Sequence, residues 1–305
     1  MIILDNESLY PQQPQCATIG FFDGVHCGHQ ALIGQLTGAA KALGQQSMAI
    51  TFANHPKHFF HPESEFFLLN TQEEKAERLS KLSLDHCLML NFDAHLACLT
   101  SHEFMTWLHT RFHVNTLFIG YDHHFGSDST HGFDDYQAYG ATIGVRVIRG
   151  ERQDVGNDTV SSSMIRKTLM AGNIVRANEL LGYHYRLKGC VVQGHQVGRM
   201  IGFPTANIKP DSQKLIPCDG VYATRVMVEN KWYVGMLNIG NNPTLNNQNH
   251  SIEVHIIDFS QDLYGKTIEI EFVEKIRSEQ RFNSLDELRK QIETDRRHIV
   301  ACLNK

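Results

Sequence analysis

His26 and His29 stand three apart in the stretch GFFDGVHCGH, with Asp23 just ahead of them. A tight turn needs glycine, not imidazole, so these side chains raise the question of a ligand. Gly20, Gly24 and Gly28 let the backbone turn sharply and approach a bound group closely. The helical pattern that starts near His29 offers unpaired N–H groups and a positive dipole end, which suit phosphate. Two imidazoles there can hydrogen-bond phosphate oxygens, and negative charge builds on those oxygens when a nucleotidyl group is transferred. Two plainer readings stand beside this one. The chain has 18 histidines, so the pair can be incidental to a turn. A zinc pair is the other, although no obvious Cys/His set surrounds it. The stretch is neither a GxGxxG turn nor a GxxxxGK[ST] loop.

Three further segments are expected at the same sheet edge: TFANHP (51–56), GYDHHFG (120–126) and SSSMIR (161–166). A serine-rich helix start with an arginine one turn in is a second anion site. Each segment alone reads as a strand-end turn, a loop and a serine cap. Their joint placement is what points to a site.

A second constellation lies in GHQVGRMIGFPTANIKP (194–210). Gly198 and Gly202 permit a loop that folds over phosphate, and Pro204 stiffens the approach. Thr205 and Asn207 lie two apart, so in an extended segment both point the same way. A hydroxyl and an amide oxygen can ligate a hard cation such as Mg²⁺. The bland alternative is a glycine-rich hairpin with a polar turn. In SIEVHIIDF (251–259) the alternation puts Glu253 and His255 on the face opposite Ile252 and Val254. Such an acid is either solvated or a general base for a substrate hydroxyl in phosphoryl transfer.

The elements that must position these groups follow from pattern. CATIGF, SMAITF, HCLML, NTLFIG and VRVIR are expected strands. Helical spacing runs from His29 through Leu43, with Gly44 as its C-cap. Thr71 with Glu74 and Thr100 with Glu103 are capping boxes; the first opens a helix through Leu82. A short helix is expected near Tyr136. Alternating strands and helices imply an α/β fold with a Rossmann-like parallel sheet covered on both faces. Two short helices follow Ser161. From Tyr183, closely spaced short strands predict a small antiparallel β-barrel. A C-terminal helix closes the chain, with Ser284 and Glu287 as its capping box and Leu285, Leu288, Ile292 and Ile299 on one face. The expected domains are residues 1–182 and 183–305.

Totals bound the rest. The 305 residues fit two ordinary domains, and 42% hydrophobic residues fit globular cores. A formal net charge of −5 argues against a general nucleic-acid surface. The N-terminus lacks the pattern of a signal peptide, and no stretch offers the roughly 20 apolar residues of a membrane span. The seven scattered cysteines form no CxxC pair and read as reduced thiols, which implies a cytoplasmic location.

On these residues the sequence resembles a known family. HCGH looks like the HxGH signature of nucleotidylyltransferases. TIGFFDGVHCGHQALI, TFANHP, GYDHHFG and VSSSMIRKTLMAGNIVRANELLG together resemble the FMN adenylyltransferase domain of bifunctional riboflavin kinase/FAD synthetases. GRMIGFPTANI, DGVYAT, NIGNNPT, IEVHIIDFSQDLYG and IRSEQRF resemble, in order, the riboflavin kinase domain of the same enzymes. The resemblance implies that riboflavin and ATP give FMN and ADP, and that FMN and ATP give FAD and pyrophosphate, both with Mg²⁺. It makes His26 and His29 contacts of the ATP phosphates. Gly20, Phe22, Asp23, Gly24, Gly28, Asn54, His55, Asp122, Ser162, Ser163 and Arg166 complete that ATP/FMN site. It makes Thr205 and Asn207 the metal ligands and Glu253 the base. Gly198, Arg199, Gly202, Phe203, Pro204 and Arg277 become ATP and flavin contacts. It also implies a monomer or weak oligomer. His124 stands where the family often has arginine, SDSTHG lacks a usual arginine, and Leu245 replaces a phenylalanine.

Overall fold

Along β3 (Gln46–Phe52) successive side chains enter different cores. Met48 and Ile50 pack with Phe104, Leu108 and Tyr136, whereas Ala49 packs with Ile33, Leu36 and Leu79. This period of two, apolar on both sides, is what a strand covered on both faces requires. The computed structural model describes residues 1–5, 12–63, 65–121, 123–128, 131–156, 158–194, 198, 202–241 and 250–303. The chain divides into two compact units, Met1–Ser161 and Ser162–Lys305.

The first unit holds a parallel sheet in the order β1-β4-β3-β2-β5-β6. Its strands are β1 (Ile2–Leu4), β2 (Gln15–Ile19), β3, β4 (His86–Leu90), β5 (Val114–Ile119) and β6 (Arg146–Arg149). Five were expected; β1 adds an edge strand beside β4, too short to carry a periodic signal. Helices α1 (Cys27–Leu43) and α3 (Gln72–Ser80) cover one face; α5 (Ser101–Phe112) and α6 (Phe133–Ile143) cover the other. Short helices α2 (Pro56–Phe60) and α4 (Ala94–Cys98) follow β3 and β4. Both expected capping boxes are present, at Thr71/Glu74 and Thr100/Glu103. Helix α3 stops at Ser80 rather than Leu82, because its last turn tightens into Lys81 N–H to Arg78 and Leu82 N–H to Leu79 bonds. The small strands β7 (Asp154–Val155) and β8 (Asp158–Thr159) pair with each other.

The second unit opens with α7 (Ser162–Met170) and α8 (Ile174–Leu181). A closed antiparallel barrel follows, in the order β10-β13-β12-β11-β14-β9. These strands are β9 (Arg186–Val192), β10 (Ala206–Pro210), β11 (Gly220–Val228), β12 (Lys231–Asn241), β13 (His250–Ile256) and β14 (Thr267–Arg277). Val221 and Ala223 of β11 pack under Ile299 of the last helix, α9 (Leu285–Leu303). Two details of α9 differ from expectation. Ser284 accepts the Glu287 N–H, but the Glu287 carboxylate takes the N–H of Asn283, one residue earlier. Leu285, the first residue of the helix, is 60% exposed and does not join the buried stripe.

Candidate functional sites

β2 lies between β3 and β5, so the chain leaves it first to one side and later to the other. The carboxyl end of such a strand opens into a crevice that suits ligands. The helix after it begins at Cys27, two residues earlier than its apolar pattern suggests, and His26 is its N-cap. His26 Nδ1 accepts the N–H of His29 at 3.3 Å, a task ordinarily done by Ser, Asn or Asp. The spacing of three is therefore the N-cap to N3 spacing. It also stacks the two rings, with centroids 3.6 Å apart at 17°. With Nδ1 accepting, a neutral His26 carries its proton on Nε2. Burial lowers its pKa to about 4, so the neutral form prevails at pH 7. His29 is likewise held well below the usual histidine range by burial and by His26, His123 and Lys75. Its Nδ1 is buried without a hydrogen-bond partner among the described residues, as a ligand-binding atom would be. The pair is thus a neutral donor set at a helix N-terminus.

The loop leading to it is strained. Phe22 and Val25 are buried at positive φ (55° and 36°), flanking Gly24 at 81°. Such residues cost on the order of 1–3 kcal/mol each and persist only where packing over-determines them. A Cβ at Gly20 would lie 2.8 Å from the Phe22 ring, so any other residue would have to displace that buried ring. Asp23 turns inward: its carboxylate accepts the N–H groups of Leu69 (2.9 Å) and Asn70 (3.1 Å), which anchors the loop. Asn54 is engaged at both ends by the Phe92 backbone, at 2.7 Å each. His55 caps α2 and lies 4.1 Å from the Phe21 ring.

Beside this loop is a cavity of about 440 Å³. Phe21, Phe52, Phe60, Phe92 and Phe125 form its walls; His55, His123 and His124 also line it. Flat aromatic walls suit a flat conjugated ring. His123 and Lys75 are site residues that sequence reasoning missed. The GYDHHFG motif is the signal for the first, and nothing local marks the second. Asp128 accepts from Ser101 and pairs with His131 at 2.8 Å, which ties the loop that lacks arginine. Asp122 and Arg199 lie outside the described residues. Ser162, Ser163 and Arg166 lie on the first turns of α7, in the second unit.

In the barrel, register assembles the second site. Asn207 of β10 and Asn238 of β12 both pair with Glu253 of β13. Thr205 donates to the Glu253 carboxylate at 3.0 Å. Thr205, Asn207 and Glu253, brought together across 48 residues of chain, thus share one polar face. Asn238, the first residue of the NIGNNPT motif, joins them by register, although sequence reasoning assigned it no site role. A Cβ at Gly194 would collide with the Asn207 amide, and one at Gly198 with the Phe203 carbonyl. His255 holds the Pro204 carbonyl at 2.8 Å. Burial, first of all, and then Arg296 lower its pKa, so a neutral ring donates from Nδ1. Arg277 is gripped by buried Asp295 of α9, with Nε and a terminal nitrogen both 2.9 Å from one carboxylate oxygen.

Two cavities meet here. One, about 660 Å³, is lined by Thr205, Val191, Ile256, Phe259 and Tyr264. The other, about 290 Å³, is lined by Thr205, Glu253, Asn238, Arg277 and Phe282. Thr205 belongs to both, so two ligands can meet beside the Thr205–Glu253 contact. The hydroxyl, amide and carboxylate oxygens there are hard donors and fit a hard divalent ion that keeps waters and phosphates as its other ligands. Among the described residues no cluster of three or more His, Cys, Asp or Glu could hold a metal by itself. All seven cysteines are free thiols. Among the described residues no helix is long and apolar enough to cross a membrane.

Comparison with known proteins follows the same division. Residues 10–164 match the family model described as FAD synthetase, and residues 181–303 match riboflavin kinase. The chain is 36% identical over 289 residues to the bifunctional riboflavin kinase/FMN adenylyltransferase of Listeria monocytogenes, covering 94% of this chain and 92% of that protein. It is 36% identical over 296 residues to the protein of the same description from Escherichia coli K12, covering 96% and 94%. A crystal structure described as a macrolide-efflux protein from Streptococcus pneumoniae superposes with a TM-score of 0.90 at 29% identity, covering 97% and 98%. That description belongs to the other protein; what the superposition carries is the fold.

Proposed function

Because the chain belongs to the bifunctional riboflavin kinase/FMN adenylyltransferase family, we propose a residue-level account of its two reactions. The protein is a riboflavin kinase and an FMN adenylyltransferase, acting on riboflavin, FMN and ATP to give FAD. Both activities use ATP with a divalent metal ion. We assign adenylyl transfer to residues 1–182 and phosphorylation to 183–305. The two family models leave most of α7 and most of α8 between 164 and 181, and we assign both helices to the first activity on the strength of the serine-arginine motif.

In the kinase, ATP occupies the larger cavity and riboflavin the smaller. Glu253 lines only the smaller one, so it takes the proton of the ribityl hydroxyl as that oxygen attacks the terminal phosphorus and ADP departs. Thr205 and Asn207 hold Mg²⁺, which supplies charge neutralisation on the phosphates when bound. Gly198, Arg199, Gly202, Phe203 and Pro204 shape the loop over ATP, and Arg277 borders the flavin. In the adenylyltransferase, FMN sits between the aromatic walls and its phosphate attacks the α-phosphorus of ATP, releasing pyrophosphate. His26 Nε2–H, His29 and the N-terminal amides of α1 donate to the oxygens that gain charge. Ser162, Ser163, Arg166 and Asp122 complete the nucleotide contacts. The protein works in the cytoplasm as a monomer or weak oligomer, without nucleic-acid or membrane partners.

The observation that carries this reading is the Thr205–Glu253 contact at the junction of two cavities. The test is chromatography of flavins after incubation with riboflavin, ATP and Mg²⁺. FMN followed by FAD is expected, and neither without the metal. FMN alone, with added FMN left unconverted, would refute the account of the first unit.

A further inference from the structure

Lys75 of α3 is a charged side chain with 3% exposure, and neither reaction as assigned uses it. Its ammonium donates to the Phe52 carbonyl at 2.7 Å, the Thr51 hydroxyl at 3.1 Å and the Phe21 carbonyl at 3.2 Å. Three donors meet three acceptors, so the group is saturated. It also lies 4.0 Å from the centroid of the Phe21 ring, a cation–π contact. Thr51 in turn donates to the Phe21 carbonyl at 3.0 Å. One ammonium therefore ties the carboxyl end of β3 to the residue that leaves β2. Phe21 and Phe52 are both walls of the aromatic cavity, and Phe21 leads into the loop that carries His26. Burying a charge is costly unless it is fully paired, and a lysine on a surface helix has a cheaper place in water.

We propose that Lys75 is a positioning residue for adenylyl transfer: its ammonium sets the Phe21 and Phe52 walls against the His26–His29 loop, and so sets the affinity for FMN. This rests on the reading of the first unit as the FMN adenylyltransferase.

The titration of Lys75 gives a readout that a purely structural lysine would lack. Burial lowers its pKa to about 8, opposed by Asp23 of the loop and Cys87 of β4; His29 of α1 also faces it. Above pH 8 the native group loses its charge and one of its three donors, so one of its three hydrogen bonds is lost and the rest are no longer charge-assisted. The unfolded chain keeps the proton up to the ordinary value of 10.5, so this group makes folding more favourable as pH rises past 8. FMN affinity and the Lys75 contribution to stability therefore move in opposite directions.

The experiment measures KM and kcat for FMN from pH 6.5 to 9.5 in the full chain, with riboflavin phosphorylation by the same sample as reference. Wild type, Lys75→Met and Thr51→Val are compared. In wild type, KM for FMN rises above about pH 8 while kcat holds. Lys75→Met has a KM already raised roughly tenfold at pH 7, the scale of one hydrogen bond from a charged group, and no further alkaline rise. Thr51→Val, lacking one acceptor, falls between. A Lys75→Met protein with wild-type KM and pH profile would overturn the proposal. Should that variant not fold, a Thr51→Val protein with wild-type KM throughout would do the same. Wild type that neither binds nor adenylylates FMN at pH 7 would overturn the reading of the unit and the role of Lys75 together. Failure confined to the variants leaves that reading standing.

Discussion

Replacing His26 with asparagine separates its structural task from its chemical one. Asparagine is a good N-cap and can accept the His29 N–H in place of Nδ1. What it removes is a buried base whose pKa is lowered from 6.5 to about 4. Between those values the unfolded chain binds a proton that the native chain refuses, so stability falls as pH drops through that window. From pH 7 to 4.5, linkage makes this loss roughly 2.5 kcal/mol for the one group. The variant lacks it, while His29 titrates in both proteins. Trp107 belongs to the first unit and Trp232 to the second, and these are the two tryptophans of the chain. In a Trp232→Phe background, urea unfolding followed by fluorescence reports Trp107 alone. The wild-type midpoint should fall by about 1 M more than that of His26→Asn between the two pH values. The variant should also lose FAD formation from FMN and keep riboflavin phosphorylation. Equal pH dependence in both proteins would refute the buried, neutral His26 on which the phosphate-donor role depends.

Three more outcomes follow from the geometry. Glu253→Ala should slow riboflavin phosphorylation by about 10²-fold or more while FAD is still made from added FMN; a near-normal kinase rate would remove Glu253 as the base. His29→Ala should abolish FAD formation and spare FMN formation, as read by chromatography of both flavins; retained FAD synthesis would refute its role. Asp295→Ala should strand the Arg277 guanidinium, destabilise the second unit by about 3 kcal/mol or more in urea unfolding and raise KM for riboflavin; unchanged stability would show that this pair holds nothing in place.

Much of the molecule is legible locally. Strand alternation, two capping boxes and the glycine C-cap of α1 act within a few residues, so their signals survive in the linear chain. The motifs around His26 and Thr205 are legible for the same reason: glycines at fixed offsets prescribe a loop, and the polar residues between them stand out locally, although Asp23 and His26 also have structural tasks. The reading is weaker where a residue's role depends on what it meets. Asn54 sits in a ligand-like motif, yet both ends of its amide go to the Phe92 backbone, 38 residues away. Leu285 fits the helical stripe by spacing but, at the helix's first position, stays 60% exposed, while Ile292 and Ile299 join the core.

The sequence by itself determined the two kinds of domain, their order and the residue types able to handle phosphate, because these rest on short-range periodicity and turn chemistry. Tertiary structure decided the rest. Strand register placed Glu253 beside Asn207, Asn238 and Thr205, and the barrel wall set that cluster where two cavities share Thr205. Burial made His26 and His29 neutral donors rather than charges. The closing of α3 over two strand ends turned Lys75, an ordinary helix lysine in the sequence, into a buried tie. Solvation and long-range pairing are properties of the packed chain, and no local pattern encodes them.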